Sequence, residues 1–346
     1  MPRLILAAFA LLLALAQGET IRPFDGNAGW LNSPALTPAD LQGKVTLVDF
    51  WEYTCINCLR TLPYLREWYR RYKPYGFTIV GVHSPEFGFS GERANVTAAL
   101  PRLGVTWPVV LDDSFAIWKR YGVDAWPTEF LFDQSGKLVE SSSGEGNYQQ
   151  TESKIQALLL ARNPHLKLPQ IMALLPQDNY DKPGAVCYPK TGEIVIARQG
   201  IANAPRFVDP TRDFDYSDSG AHADGAVYLG GYWHRTDQGA VSAGSDGYAA
   251  LRYHAIEVVA VLKPEPGKTI RVRLTQDGAP LPKADAGSDV RYDDHGNAYV
   301  TVDAPRAYVL VENAKFGQHE LRLMPDGYGL GIYDIAFESC EVPGAR

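Results

Sequence analysis

The stretch Val45-Thr-Leu-Val-Asp49-Phe-Trp51-Glu-Tyr-Thr-Cys55-Ile-Asn-Cys58 constrains this chain more than any other. Val45–Phe50 is rich in β-formers and carries apolar residues on both faces, as a central strand does. Behind Cys58, Leu62, Leu65, Tyr69 and Tyr72 return every three or four residues until Pro74 and Gly76 stop the pattern, which predicts a helix. Two cysteines with two residues between them therefore stand between a buried strand and a helix. At a helix N-terminus the dipole and the free backbone N–H groups favour a thiolate. Cys55 is then the attacking nucleophile, and Cys58, one turn inside, resolves the mixed disulfide. The chemistry needs no cofactor beyond the redox-active disulfide Cys55–Cys58. Zinc ligation competes poorly, because the other two cysteines, Cys187 and Cys340, lack Cys-x-x-Cys spacing. A purely structural Cys55–Cys58 disulfide would not need the strand-then-helix setting.

The following 110 or so residues alternate strands and helices. Phe77–Val82 reads as a strand, Ser84–Gly91 as a loop, Ala94–Leu100 as a helix and Pro108–Leu111 as a strand. Asp113 is expected to cap a helix bearing Phe115, Ile117, Trp118 and Tyr121. Trp126-Pro127 leads into strand Thr128–Phe132, then a hairpin turn at Asp133–Gly136 and strand Leu138–Ser141. Helix Gln150–Ala161 closes an α/β layer. The proline-bearing stretch 164–183 reads as a linker. Beyond it helical periodicity disappears, and short runs lie between Gly-, Asp- and Pro-rich turns. They are Ile194–Ala197, Ala226–Tyr232, Ala255–Leu262, Ile270–Leu274, Ala298–Val302, Ala307–Val311, His319–Leu323 and Ile332–Phe337. This pattern predicts an all-β sandwich of jelly-roll type over 184–346.

A net charge of -7 argues against a nucleic-acid partner and against a polybasic membrane anchor. At the N-terminus Arg3 precedes an apolar run, Leu4–Ala16, that is too short to span a bilayer and ends in Ala14-Leu15-Ala16. Residues 1–16 are thus expected to be a signal peptide cleaved after Ala16. The mature chain would be exported, periplasmic or extracellular, where disulfides persist; residues 17–163 would form its first domain.

These motifs resemble the thioredoxin superfamily. Asp49-Phe-Trp51 followed by Cys55-x-x-Cys58, Pro63 five residues later, and Trp126-Pro127-Thr128 carry the likeness. It implies that Pro127 is a cis-proline beside the dithiol, that Trp126, Pro127 and Thr128 hold a substrate's backbone, and that Trp51 packs against the cysteines. It further implies that Asp49 is a buried proton relay. The residues alone support this last role, since an acid in an apolar strand must be satisfied or neutralised. Phe50–Tyr64, Gly81-Val-His83-Ser-Pro85-Glu86-Phe87 and Gly144-Glu-Gly146-Asn-Tyr148 narrow the likeness to exported domains of the DipZ type within the TlpA-like group. That implies a C-terminal sandwich resembling carbohydrate-binding modules. It also implies a reductant that works on protein thiols and disulfides. DipZ proteins carry a membrane-embedded electron-transfer domain in front. With only a signal peptide here, a separate membrane protein is the expected electron donor.

His83 and Glu86 are expected in the loop after the second strand, at the rim or bracing that loop. Glu52 would oppose a thiolate at Cys55 by like charge, and Asn57 replaces the Pro or His of many relatives. In the C-terminal region Cys187 and Cys340 are expected to form a structural disulfide, worth on the order of 4–5 kcal/mol in the entropy model. Tyr228, Tyr232, Trp233, Tyr248 and Tyr253 could build the sandwich core or stack on a glycan. His222, His234, His254 and His295 show no ligand spacing, and no metal is expected. The function read from the sequence is an exported thiol–disulfide oxidoreductase that reduces protein disulfides. Oxidase or isomerase activity, or a glycan-binding protein on a thioredoxin scaffold, are the alternatives. Peroxide reduction fits poorly, because Thr54 is adjacent to Cys55 rather than three residues before it.

Overall fold

The computed structural model describes residues 19–176, 178–205 and 212–343, so the apolar run read as an export signal lies outside it. The chain forms two compact units. One comprises the chain up to Glu86 and from Ser90 to Leu175, the other Phe87–Phe89 and the chain from Pro176 on.

The first unit is an α/β layer built on β2 (Val45–Trp51), every residue of which is buried. β2 lies in a six-stranded sheet between β3 (Phe77–His83) and β5 (Thr128–Phe132). β4 (Val109–Leu111) and β1 (Trp30–Leu31) extend the sheet beyond β3, and β6 (Leu138–Ser143) beyond β5. β2 and β3 run parallel, whereas β5 is antiparallel to β2 and pairs Phe50 with Thr128 and Asp49 with Glu129. Alternation gives the sheet two faces. Val48, Phe50, Val80, Val82 and Phe132 pack with Ile117 and Tyr121 of α3 (Ala116–Tyr121), the helix that follows α2 (Arg93–Leu103), in one core cluster. Elsewhere α1 (Ile56–Tyr72) packs with α4 (Tyr148–Arg162) through stacked Tyr64 and Tyr148 rings, 3.7 Å apart. Tyr72 and Arg71 of α1 also bond the buried Glu152 of α4.

Two local expectations change. The helix after β4 is capped by Asp112, not Asp113. Its carboxylate accepts from the backbone N–H groups of Ile117 and Trp118 at 2.9 and 2.8 Å, while Asp113 is exposed. Phe115 precedes the helix in a left-handed conformation (φ 58°), and the first helical N–H groups turn back to Asp112. Residues 166–175, within the stretch read as a linker, belong to the first unit. There Met172 N–H donates to Glu152 and Leu175 N–H to the Tyr64 hydroxyl.

The second unit is all-β; its shorter strands include β7 (Val186–Cys187), β8 (Ile194–Val195), β9 (Phe214–Tyr216), β13 (Ile270–Gln276), β14 (Ala279–Pro280), β15 (Arg291–Tyr292) and β16 (Ala298–Val302). Its main sheet is organised by two long strands, β12 (Tyr248–Pro264) and β17 (Arg306–Pro325), paired from Ala249–Leu323 to Leu262–Arg306 with two irregularities. β12 also pairs with β10 (Val227–Arg235) at one end and with β18 (Leu330–Glu338) at the other. β11 (Ala240–Ser242) joins β10 to β18, which closes a hydrogen-bonded circuit around Trp233, Tyr253 and Leu262 of the core. The runs Ala307–Val311 and His319–Leu323, expected as two strands, are parts of β17, since no proline interrupts them. Ile194–Ala197 is a strand only at Ile194–Val195; a one-turn helix, Ile196–Gln199, follows. Cys187 and Cys340 face each other across a two-stranded ladder and are disulfide-bonded, 153 residues apart in sequence.

Trp233 and Tyr253 are core residues, Tyr228 and Tyr248 are half-buried, and Tyr232 is 50% exposed. The Tyr253 hydroxyl, Gln276 and Asn313 close a buried triangle of hydrogen bonds of 2.7–3.1 Å. His222, buried, bridges Asp218 and Glu320.

Candidate active site

β2 delivers the chain at Trp51 to a tight three-residue loop, and α1 begins directly after Cys55. Cys55 has extended backbone angles, φ -67° and ψ 116°, and occupies the cap position of α1. Its Sγ accepts the Cys58 backbone N–H at 3.4 Å. An N-cap acceptor is what the open N–H groups of a helix favour. Cys55 is partly exposed and Cys58 fully buried, and both are unbridged thiols. The outer sulfur is thus the accessible one, and the inner sulfur waits beneath it.

The loop is held by Glu52, which is fully buried. One of its carboxylate oxygens accepts from Thr54 N–H at 2.6 Å, from the Thr54 hydroxyl and from Cys55 N–H at 2.9 Å. Burial pushes the Glu52 carboxyl up, and the hydrogen bonds from Thr54, Ser90 and Cys55 oppose that. Glu52 therefore fixes the backbone of the nucleophile as well as placing an acid beside it. His83 is not at a loop rim. It is the last residue of β3, fully buried, and its ring stacks on Tyr53 at 5.6 Å and meets Trp51 edge-on at 5.4 Å. Its Nε2 lies 3.8 Å from Glu52, and burial depresses its pKa to about 3, which keeps the imidazole neutral. Glu86 is half-buried.

Trp51 is fully buried. It fits because residue 81 is glycine: a Cβ there would lie 2.9 Å from the Trp51 indole nitrogen and 3.1 Å from that of Trp107. The Trp126–Pro127 peptide bond is cis. Because Thr128 pairs with Phe50, Pro127 lies at the level of Trp51, at the end of the sheet from which the cysteine loop departs. The Pro127 carbonyl accepts Gly144 N–H, and the buried Thr128 hydroxyl donates to Ala125. Trp126 is half-buried against Trp118, ring centres 4.5 Å apart.

Asp49 is fully buried, and neither carboxyl oxygen has a hydrogen-bond partner among the described residues. Burial, then the charge of Glu129, pushes its pKa well above the usual range. Cys58 is also pushed up, first by burial, then by its hydrogen bond and charge interaction with Cys55, and by Asp49. A neutral inner thiol with an acid beneath it can resolve a mixed disulfide once that acid takes its proton. Glu129, which sequence reasoning missed, is pushed up to about 7 by burial and by Glu140. The signal was available, since Glu129 is an acid in an otherwise apolar strand just as Asp49 is. Among the described residues no group of three or more His, Cys, Asp or Glu could hold a metal ion, and no helix is long and apolar enough to cross a membrane.

Fold and site together define a thioredoxin-like unit, a redoxin domain, joined in sequence to a large all-β region. Residues 26–159 match the Redoxin family model, and residues 196–337 match the model described as thioredoxin like C-terminal domain. The chain is similar to Protein DipZ of Mycobacterium tuberculosis (strain CDC 1551 / Oshkosh), with 37% identity over 262 residues, 74% of this chain and 36% of that protein. It is also similar to the thiol-disulfide oxidoreductase ResA of Bacillus anthracis, with 33% identity over 34% of this chain and 66% of ResA. The chain thus spans just over a third of the DipZ proteins it matches. Among solved structures it is similar to the thioredoxin domain of a thiol-disulfide oxidoreductase from Bacteroides vulgatus (27% identity, TM-score 0.34, covering 40% of this chain and 98% of that one). It is likewise similar to a thiol:disulfide interchange protein from Chlorobium tepidum (21%, TM-score 0.36, 42% and 98%).

Proposed function

We propose that the chain is an exported thiol–disulfide oxidoreductase that reduces protein disulfides through Cys55 and Cys58. One arrangement carries the reading: the partly exposed Cys55 caps a helix, and a buried Cys58 lies below it over the unpartnered Asp49. Cys55 thiolate attacks a substrate disulfide and releases one thiolate. Asp49 takes the Cys58 proton. The Cys58 thiolate then attacks Cys55 Sγ, the Cys55–substrate bond breaks, and the second thiolate leaves. Two electrons pass from the dithiol to the substrate disulfide. The backbone around cis-Pro127, with Trp126 and Thr128, holds the partner strand, and Trp51 backs the dithiol. A membrane protein restores the dithiol.

Equilibration of the mature protein with glutathione buffers, read by alkylation and mass spectrometry, tests this. A potential near about -270 mV supports a reductant, whereas one nearer about -120 to -180 mV makes it an oxidase or isomerase. A Cys55–Cys58 pair that does not exchange in the folded protein overturns the redox function. A second reading gives the all-β unit, as a jelly-roll sandwich, a glycan. It rests on Tyr232, which stays half exposed, and retention of the full chain on a polysaccharide column tests it.

A further inference from the structure

Asp49 has a logistic problem. It is sealed, with no exposed surface and no hydrogen-bond partner among the described residues. A base in that position must pass each proton on, or it works once. The strand register supplies a neighbour. Glu129 of β5 is directly opposite Asp49, and directly opposite residues share a face with Cβ atoms about 5 Å apart. On the next strand Glu129 pairs with Ser142, and Leu131 with Glu140. Glu140 is therefore diagonal to Glu129 on the same face, about 7–8 Å away. Glu140 bonds Lys154 of α4. Exposure rises along this line from 0% at Asp49 to 9% at Glu129 and 28% at the Glu140 side chain.

Packing gives no reason for it. Two facing carboxyls buried in a sheet cost free energy that an apolar pair would not. We propose that Glu129 is the second station of a proton path that runs from Cys58 through Asp49 and Glu129 to Glu140 and water. The proposal rests on the redox reading above. Facing carboxyls do not both ionise readily, so Asp49 and Glu129 hold one proton between them and titrate as a pair. The charge left on the pair takes the Cys58 proton, and the doubly protonated pair then loses one through Glu140. Titratable and charged groups around the pair are Cys58 of α1, Glu140 of β6 and Lys154 of α4, with the Arg60–Glu145 ion pair also on this unit. Burial pushes both carboxyls up, helped at Asp49 by the facing Glu129 and at Glu129 by the diagonal Glu140, which agrees with a proton held on the pair.

The test is a single turnover of reduced full-length protein with 5,5′-dithiobis(2-nitrobenzoate), followed by stopped flow from acid to alkaline pH. The first thionitrobenzoate release reports Cys55, the second the attack of Cys58. In E129Q the first release should be unchanged and the second at least about tenfold slower, with its pH midpoint moved. E129D, which keeps the carboxyl, should restore the profile. D49N/E129Q should be no slower than the slower single variant, because the groups act in series. A pH titration of the protonated-carboxyl infrared band, with the component near neutrality lost in E129Q, gives a reading independent of turnover. An E129Q second phase with wild-type rate and pH profile overturns the path and leaves the redox reading standing. Absence of any second release in the wild type overturns both. If E129Q does not fold, E140Q on the exposed end decides: an unaltered second phase and midpoint overturns the path, and a slowed one supports it.

Discussion

The two units differ in how far their buried polar groups are satisfied: among the described residues most of the buried side-chain atoms without a partner lie in the α/β unit, whereas the all-β unit leaves few, such as the Tyr216 hydroxyl. In the all-β unit, Tyr253, Gln276 and Asn313 satisfy one another in a closed triangle, and His222 has a carboxylate on each ring nitrogen. In the α/β unit, both Asp49 oxygens and the Trp51 and Trp107 indole nitrogens are buried without a hydrogen-bond partner among the described residues. The cysteines follow the same division. Cys187 and Cys340 are joined across a ladder, whereas Cys55 and Cys58 are separate thiols of unequal exposure. Closed networks fix a structure, and buried groups left open keep capacity to take up charge, which is where functional sites concentrate.

The largest expected effect comes from the open side. Cys55→Ser should abolish exchange with glutathione, a loss of at least about a thousandfold, since the remaining thiol, Cys58, is fully buried. Cys58→Ser should keep the first attack and accumulate a mixed disulfide at Cys55, visible by mass spectrometry. On the closed side, replacing Cys187 and Cys340 by serine should lower stability by about 2–4 kcal/mol while the alkylation rate of Cys55 holds. A fall in that rate would break the division. Glu129→Gln sharpens it from the open side. The folded carboxyl has a pKa near 7 against an ordinary 4.5. The unfolded chain therefore ionises first, and the folded state loses stability as pH rises between those values. The variant should gain about 2–3 kcal/mol over wild type at about pH 8 and nothing at about pH 4, by denaturant unfolding. Tyr253→Phe should cost about 1–2 kcal/mol at every pH, because it strips partners from Gln276 and Asn313 without touching a charge.

How legible this was depended on range. β2, the helix after it and the Cys-x-x-Cys cap were readable because apolar spacing and helix-end chemistry are local. The cis peptide bond before Pro127 was readable only by resemblance. The pairing of Asp49 with Glu129 was not, because it depends on which strands are neighbours and in what register, and neither is encoded in adjacent residues. The same limit hid the role of Glu52, whose hydrogen-bond partners are local but which is buried against His83 of β3, 3.8 Å away. In the all-β unit polar stretches such as Glu312–Gln318 looked like turns. A long strand tolerates them where its side chains reach solvent, as at Lys315.

The Cys187–Cys340 bridge also has a mechanical meaning. It ties together two short strands that lie near the beginning and the end of the all-β unit. Tension that enters the chain before Cys187 and leaves after Cys340 passes through one covalent link. The long strands β12 and β17 bear none of it. While the link is oxidised, the unit cannot be drawn out from its ends, and the intervening fold becomes a slack loop in the load path. Reduction alone would put its hydrogen bonds in series with the pull.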